Sequence, residues 1–347
     1  MDLCTEQLLG HLPGSVHATR VCPPFRRIAG RLPFVGRKGV AFNADRGLNR
    51  FVWFPRHVRR IAANFDAFHV VDHSYAHLIH ALPADRTGAY CYDLDAFRCL
   101  VDPTADPRPR WFRALARRTL TGLQKAAVVF LISRQTGADL LRYGLIDPAK
   151  LVHVPLGVAD EFTPCESPLP GPPTLLHVGS CIPRKRIDVL LAVVAEVRRR
   201  IPAVQLIKVG GIWTSEQRTQ ITRLGLANAI DHRQNVTRAE LAALYWAAGV
   251  VLVPSAAEGF GLPVIEGLAC GAVVVASDIP ALREAGGPAA IYAPVGNVAA
   301  WADTVQRVLT APSFAPARAE RLTWASQFTW TANAATIATT YQRLLTK

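Results

Sequence analysis

Short apolar, β-branched runs recur along this chain, and stretches with helical spacing separate them. In the first half the runs are 67–71 (AFHVV), 88–92 (GAYCY), 126–132 (AAVVFLI) and 150–154 (KLVHV). In the second half they are 174–178 (TLLHV), 204–209 (VQLIKV), 249–254 (GVVLVP), 272–276 (AVVVA) and 290–292 (AIY), with a helix expected over 187–200. Runs of four to eight such residues read as buried strands. Strands alternating with helices predict parallel sheets covered on both faces. The proline-rich stretch 161–173 (EFTPCESPLPGPP) interrupts the alternation and reads as a linker. The expected organisation is therefore two open α/β domains, 1–160 and 174–320, with a cleft between the C-terminal ends of their strands, where such sheets bind ligands. No short-period repeat is present.

Residues 249–271 carry the richest chemistry. The strand-like run to Pro254 is followed by Ser255–Gly261 and then EGFGLPVIEGLACG continues from Glu258 into a helix that should begin near Leu262, with Pro263 suited to its first turn. Such a helix start aims unpaired N–H groups and positive dipole at the loop, which makes an anion site. Gly259 and Gly261 let a phosphate approach the backbone closely. Glu258 and Glu266 suit sugar hydroxyls rather than phosphate; either alone could also do no more than complement the helix dipole. A second loop follows 174–178. There HVGSCIPRKRIDVLL places Gly179 at the turn and Arg184, Lys185 and Arg186 just before the next helix, where they could reach a diphosphate.

Composition narrows the function classes. The chain has 347 residues, half of them hydrophobic, enough for two cores. Its seven cysteines show no CxxC or CxH spacing and are odd in number, which predicts reduced thiols, a cytoplasmic setting and no metal site. No run reaches the roughly 18 apolar residues of a membrane span, and the start has no signal-peptide pattern. The net charge is +13, with 22 basic against 14 acidic residues in 1–165 and 17 against 12 in 166–347. Within the more basic half, 107–125 (PRPRWFRALARRTLTGLQK) predicts an amphipathic helix with Trp111, Phe112, Leu115, Leu120 and Leu123 on one broad side. Its arginines could rest on an anionic membrane surface or be a solvated face. No nucleic-acid recognition module is visible, and no GxGxxG follows an early strand, which argues against a dehydrogenase.

The strings HVGSCIPRKRIDVLL and LAALYWAAGVVLVPSAAEGFGLPVIEGLACGAVVVASDIPALREAGG resemble the retaining glycosyltransferases of the family 4 type, which have the GT-B fold. The likeness runs through most of 174–297 and thins toward the N-terminus, where VVDHSYAHL, YDLDAFR and VFLISRQTGADLLRYGL are similar. The tail 321–347 resembles the family's closing helix, which crosses back to the first domain. The resemblance implies that Glu266 binds the nucleotide ribose, that Glu258 sits by the donor sugar, and that Phe260, Gly261 and Leu262 offer backbone N–H groups. It implies that Lys185, with Arg184, neutralises the departing diphosphate, that Gly179 and Ser180 form the phosphate loop, and that backbone near Asn235 and Val236 meets the base. No metal or cofactor is expected beyond the nucleotide-diphosphate sugar itself. The acceptor would be a glycan or lipid-linked hydroxyl at the inner face of a membrane, with His73, His77 and Asp93 on the acceptor side.

Three departures stand out. Many members carry an arginine where this chain has Ser180, and often a histidine where it has Tyr92, before Asp93. A tyrosine cannot carry an imidazolium's charge, so Tyr92 either substitutes in positioning or weakens the enzyme. The chain also opens on DLCTEQLLGHLPG, read as a helix, where the family opens on an apolar strand; Met1 is therefore expected to be internal to a longer reading frame. These departures keep a non-catalytic sugar-nucleotide-binding or partner-binding protein as the alternative, with a GT-B epimerase behind it.

Overall fold

The computed structural model describes residues 2–28, 38–165 and 173–346. The chain divides into two compact units, Met1–Pro155 with Thr331–Lys347, and Leu156–Trp330. The expected linker lies in the second unit's opening stretch, and its residues 166–172 fall outside the described residues.

The first unit holds a parallel four-stranded sheet in the order β1 (Phe68–Val70), β2 (Thr87–Cys91), β3 (Val128–Leu131), β4 (Leu151–His153). All five residues of β2 are buried, as its unbroken apolar run requires for a strand covered on both faces. Among the described residues the first strand is Phe68–Val70, and the chain start is the expected helix, Asp2–His11. From residue 331 onward the helix Trp330–Leu345 lies on this sheet. The Tyr90 hydroxyl donates to Asn333 Oδ1 (2.6 Å), Asn333 Nδ2 donates to the Pro155 carbonyl (2.8 Å), and the Tyr341 hydroxyl donates to the Phe68 carbonyl (2.7 Å).

The basic helix forms as Arg110–Lys125 and buries Leu120 and Leu123 of the expected apolar side, while Trp111 of that side stays outside. Ala116, Thr119, Leu120 and Leu123 are buried, an i, i+3, i+4, i+7 stripe, whereas Trp111 is 64% exposed. Gly122 fixes that rotation: a Cβ there would strike the Ala76 carbonyl, so the helix lies backbone-to-backbone on residues 73–81.

The second unit is a six-stranded parallel sheet of β5 (Thr174–Val178), β6 (Gln205–Val209), β7 (Ile230–Arg233), β8 (Val250–Val253), β9 (Val274–Ser277) and β10 (Ile291–Ala293). Its order, β10-β9-β8-β5-β6-β7, is that of a doubly wound sheet. The chain moves outward from β5 through β6 to β7, then returns to β8 beside β5 and moves outward the other way. The loops after β5 and β8 therefore diverge at one point of the sheet's C-terminal edge, the crevice where ligands bind in this architecture. Val250–Val253 and Val274–Ser277 are buried throughout. The wholly buried Trp301 packs with Leu175, Leu190, Leu206, Leu252 and Val305 in one core. β7 was not expected: it reads IDHR and alternates half-buried with exposed positions, because it is the edge strand.

Candidate active site

The loop after β8 turns at Gly261, with φ 120, and enters the helix Leu262–Ala269 with Pro263 in its first turn. A Cβ at Gly261 would come 2.9 Å from Leu282 Cδ2, so the turn is both left-handed and tightly packed. Phe260 anchors it: its ring is 3% exposed and lies 5.7 Å from that of Phe328. With the ring held inside, the backbone of Phe260, Gly261 and Leu262 forms the helix start, whose first N–H groups have no intrahelical acceptor.

The loop after β5 runs from Gly179 through Ser180 and a short turn at Pro183–Lys185, closing at Arg186 in the left-handed region (φ 49). Arg186 is turned to Asp188 (2.9 Å). The other two basic side chains cross to the β8 loop. Lys185 Nζ lies 2.5 Å from Glu258 Oε1, and Arg184 Nη1 lies 3.2 Å from Glu258 Oε2 and 3.2 Å from the Ala257 carbonyl. The Ala256 N–H donates back to the Arg184 carbonyl (2.8 Å), and Ser255 Oγ donates to Glu258 Oε1 (2.6 Å). The Glu258 side chain is 7% exposed and the Lys185 side chain 12%. Glu258, Lys185 and Arg184, expected on the two separate loops, pair with one another and clasp the switch-point loops together. Ser255 was missed; it stands three residues before Glu258, the spacing of a local side-chain hydrogen bond.

Glu266 lies one turn into the same helix and is buried. Burial pushes its carboxyl up to about 7, and the Tyr245 hydroxyl, donating to Oε2 at 2.9 Å, pulls the other way. Tyr245, on the helix Arg238–Ala247, gave no sequence signal, since a tyrosine at a helix position reads as packing. Val236, half-buried, follows Asn235, which takes a left-handed φ of 54 just beyond β7.

In the first unit the sequence candidates occupy the C-terminal ends of β1 and β2. The Tyr92 N–H donates to His73 Nδ1 (3.3 Å), and His73 Nε2 lies 3.6 Å from Asp93 Oδ1. With Nδ1 accepting, the ring's N–H is on Nε2 and faces the carboxylate. The Tyr92 ring is placed beside the Cys4 thiol, and burial raises its phenol far above the ordinary tyrosine value. Its contact with His73 runs through its backbone N–H. His77 does not join this group. It is fully buried, its Nε2 takes the Arg50 carbonyl as partner (2.7 Å), its ring lies tilted against Phe51, and burial lowers its pKa to about 4.

Both halves of the chain are similar to known proteins. Residues 172–311 match the model for glycosyl transferases group 1, and residues 4–162 match that for glycosyltransferase family 4. A D-inositol 3-phosphate glycosyltransferase of Segniliparus rotundus is 33% identical over 228 residues, 59% of this chain and 50% of its own length, so the chain spans about half of that relative. O-antigen chain mannosyltransferase B of Escherichia coli is 28% identical over 263 residues, 71% of this chain and 67% of its own. Among solved structures, sucrose-phosphate synthase of Thermosynechococcus elongatus superposes with a TM-score of 0.74 at 24% identity, covering 92% of this chain and 83% of its own. HepE of Anabaena, solved in complex with UDP and glucose, gives 0.71 at 19% identity, covering 85% and 82%. With both halves matched in this way, the chain belongs to the group 1, family 4 type of glycosyltransferases and has their GT-B fold.

Proposed function

We propose that this glycosyltransferase moves a sugar from a nucleoside diphosphate sugar to a hydroxyl of a glycan or lipid-linked acceptor, with retention at the anomeric carbon and without a metal. The observation that carries this reading is the Lys185–Glu258–Arg184 clasp at the sheet's switch point, beside the start of the helix Leu262–Ala269. Cations and helix N–H groups converge there as they would around a diphosphate. Glu258 pairs with both cations. A diphosphate competes for them and leaves Glu258 available to the donor sugar's hydroxyls. As the bond from the anomeric carbon to the phosphate oxygen breaks, Lys185 and Arg184 stabilise the charge that develops on the leaving group. The acceptor oxygen bonds to the anomeric carbon on the same face, and its proton passes to a departing phosphate oxygen. Glu266 takes the ribose hydroxyls, and backbone at Gly179, Ser180 and Val236 meets phosphate and base. The acceptor-side candidates are His73 and Asp93.

The relatives named for mannosyl and inositol phosphate glycosyl transfer, and the UDP and glucose of the HepE complex, support a nucleotide sugar as donor. A role in cell-surface polysaccharide or glycolipid synthesis is supported by the O-antigen relative, and work at the cytoplasmic membrane face belongs to the same proposal. Among the described residues no helix is long and apolar enough to cross a membrane. The exposed Trp111 beside Arg110, Arg113, Arg117 and Arg118 supplies a surface for an anionic leaflet.

A thermal-shift panel of uridine, guanosine and adenosine diphosphate sugars tests the donor reading. A matching donor at a hundred times its Kd should stabilise by about 2.7 kcal/mol. Stabilisation by none of them would remove the donor site and leave a partner-binding protein of this fold.

A further inference from the structure

Strand β6 carries a lysine that the site so far leaves unused. Lys208 stands in the run QLIKV, where its neighbours are apolar, and it is fully buried. Burying an ammonium costs several kcal/mol unless its protons are satisfied. Here three carbonyls satisfy them: Nζ lies 2.7 Å from that of Gly179, 3.0 Å from that of Val209 and 2.5 Å from that of Gly210. The first belongs to the phosphate loop after β5, the second to the last residue of β6 and the third to the loop that follows it.

The two loops touch through their backbones. Gly210 and Gly211 both take left-handed φ, 79 and 65, and a Cβ on Gly211 would come 2.6 Å from the Cys181 nitrogen and 2.8 Å from its Sγ. His177, on β5, gives Nδ1 to the Leu252 carbonyl (2.9 Å) and turns Nε2 toward the side of Gly179 where a Cβ would stand, 3.4 Å away. Burial, reinforced by the Lys208 charge, lowers that imidazole to about 3, so it is neutral and adds no second charge. Among the described residues, then, the hydrogen-bond partners of Lys208 are carbonyls and include no carboxylate.

We propose that Lys208 is a positioning residue of the donor diphosphate site: it pegs the Gly179 loop to the Gly210–Gly211 turn and holds a buried positive charge beneath them whose counter-charge is the bound diphosphate. This rests on the donor reading above. Burial, with the nearby Lys185, lowers the ammonium to about 8 against the opposing influence of the Cys181 thiol, which leaves it mostly protonated at pH 7.

The test measures binding of the full chain to uridine, guanosine and adenosine diphosphates and to the matching nucleosides, for wild type, Lys208→Met and Lys208→Gln, with melting curves alongside. For the diphosphate that wild type binds, both variants should weaken affinity tenfold or more while the nucleoside stays within twofold. Equal losses for diphosphate and nucleoside, diphosphate affinity within twofold of wild type, or failure of both variants to fold would each overturn the proposal, the last by assigning Lys208 to the core alone. Wild type that binds no diphosphate would instead bring down the donor reading itself, which separates the two failures.

Discussion

Glu266 shows how one residue can be held at the expense of stability. Its carboxyl is raised from 4.5 to about 7 by burial, so the folded chain favours the protonated form. That contribution is fully present below pH 4.5 and is lost as pH rises through 7. Glu266→Gln stays neutral and retains an acceptor for Tyr245, so its stability should exceed wild type at pH 8, by on the order of 3 kcal/mol, and match it near pH 4.5. Urea unfolding at the two pH values reads the difference; an equal offset at both would show that the carboxyl is not titrating as described. The same variant should bind the donor roughly ten to a hundred times more weakly at pH 8, because a hydrogen bond to a charged acceptor is worth about 1.5–3 kcal/mol. A gain in stability joined to a loss of binding is the signature of a residue kept for a ligand.

At the scale of elements, the loop from Ser255 to Gly261 and the helix after it form one unit whose geometry hangs on a glycine. Gly261→Ala forces a Cβ into a φ of 120 and against Leu282, and should cost about 1–3 kcal/mol of stability. Donor affinity should fall with it, because the helix start moves. A variant with wild-type urea midpoint and affinity would show that the turn tolerates a side chain. The strands and this helix were legible in sequence because buried parallel strands are unbroken apolar runs, and Pro263 and the glycines punctuate the loop. β7 was not legible, since an edge strand reading IDHR keeps alternate positions in water. Glu258, Lys185 and Arg184 were legible as types, but their mutual pairing depends on β5 and β8 becoming neighbours. Tyr245 and Lys208 were hidden for a related reason: each acts through a fold contact, and each stands in a stretch that reads as helix or strand interior. His77 misled in the opposite way, as a histidine in a motif-like string whose ring serves packing against Phe51 and the Arg50 carbonyl.

For the molecule as a whole, the charge and the exposed aromatic of the helix Arg110–Lys125 make a prediction about where it works. Trp111 is free of the buried stripe, and the arginines around it place positive charge beside an exposed apolar ring. Vesicles with anionic lipid should float the wild-type chain at low salt, vesicles of neutral lipid should not, and Trp111→Ala with Arg117→Glu should abolish flotation. Flotation unaffected by those changes would move the membrane contact elsewhere. The most direct test of the central claim measures turnover of the nucleoside diphosphate sugar that stabilises the chain, followed as release of nucleoside diphosphate with and without acceptor, for wild type and Glu258→Ala. The account predicts release by wild type and a loss of at least a hundredfold in kcat in the variant, with the fold intact; equal turnover by the two proteins, or none by wild type with any donor, would contradict it.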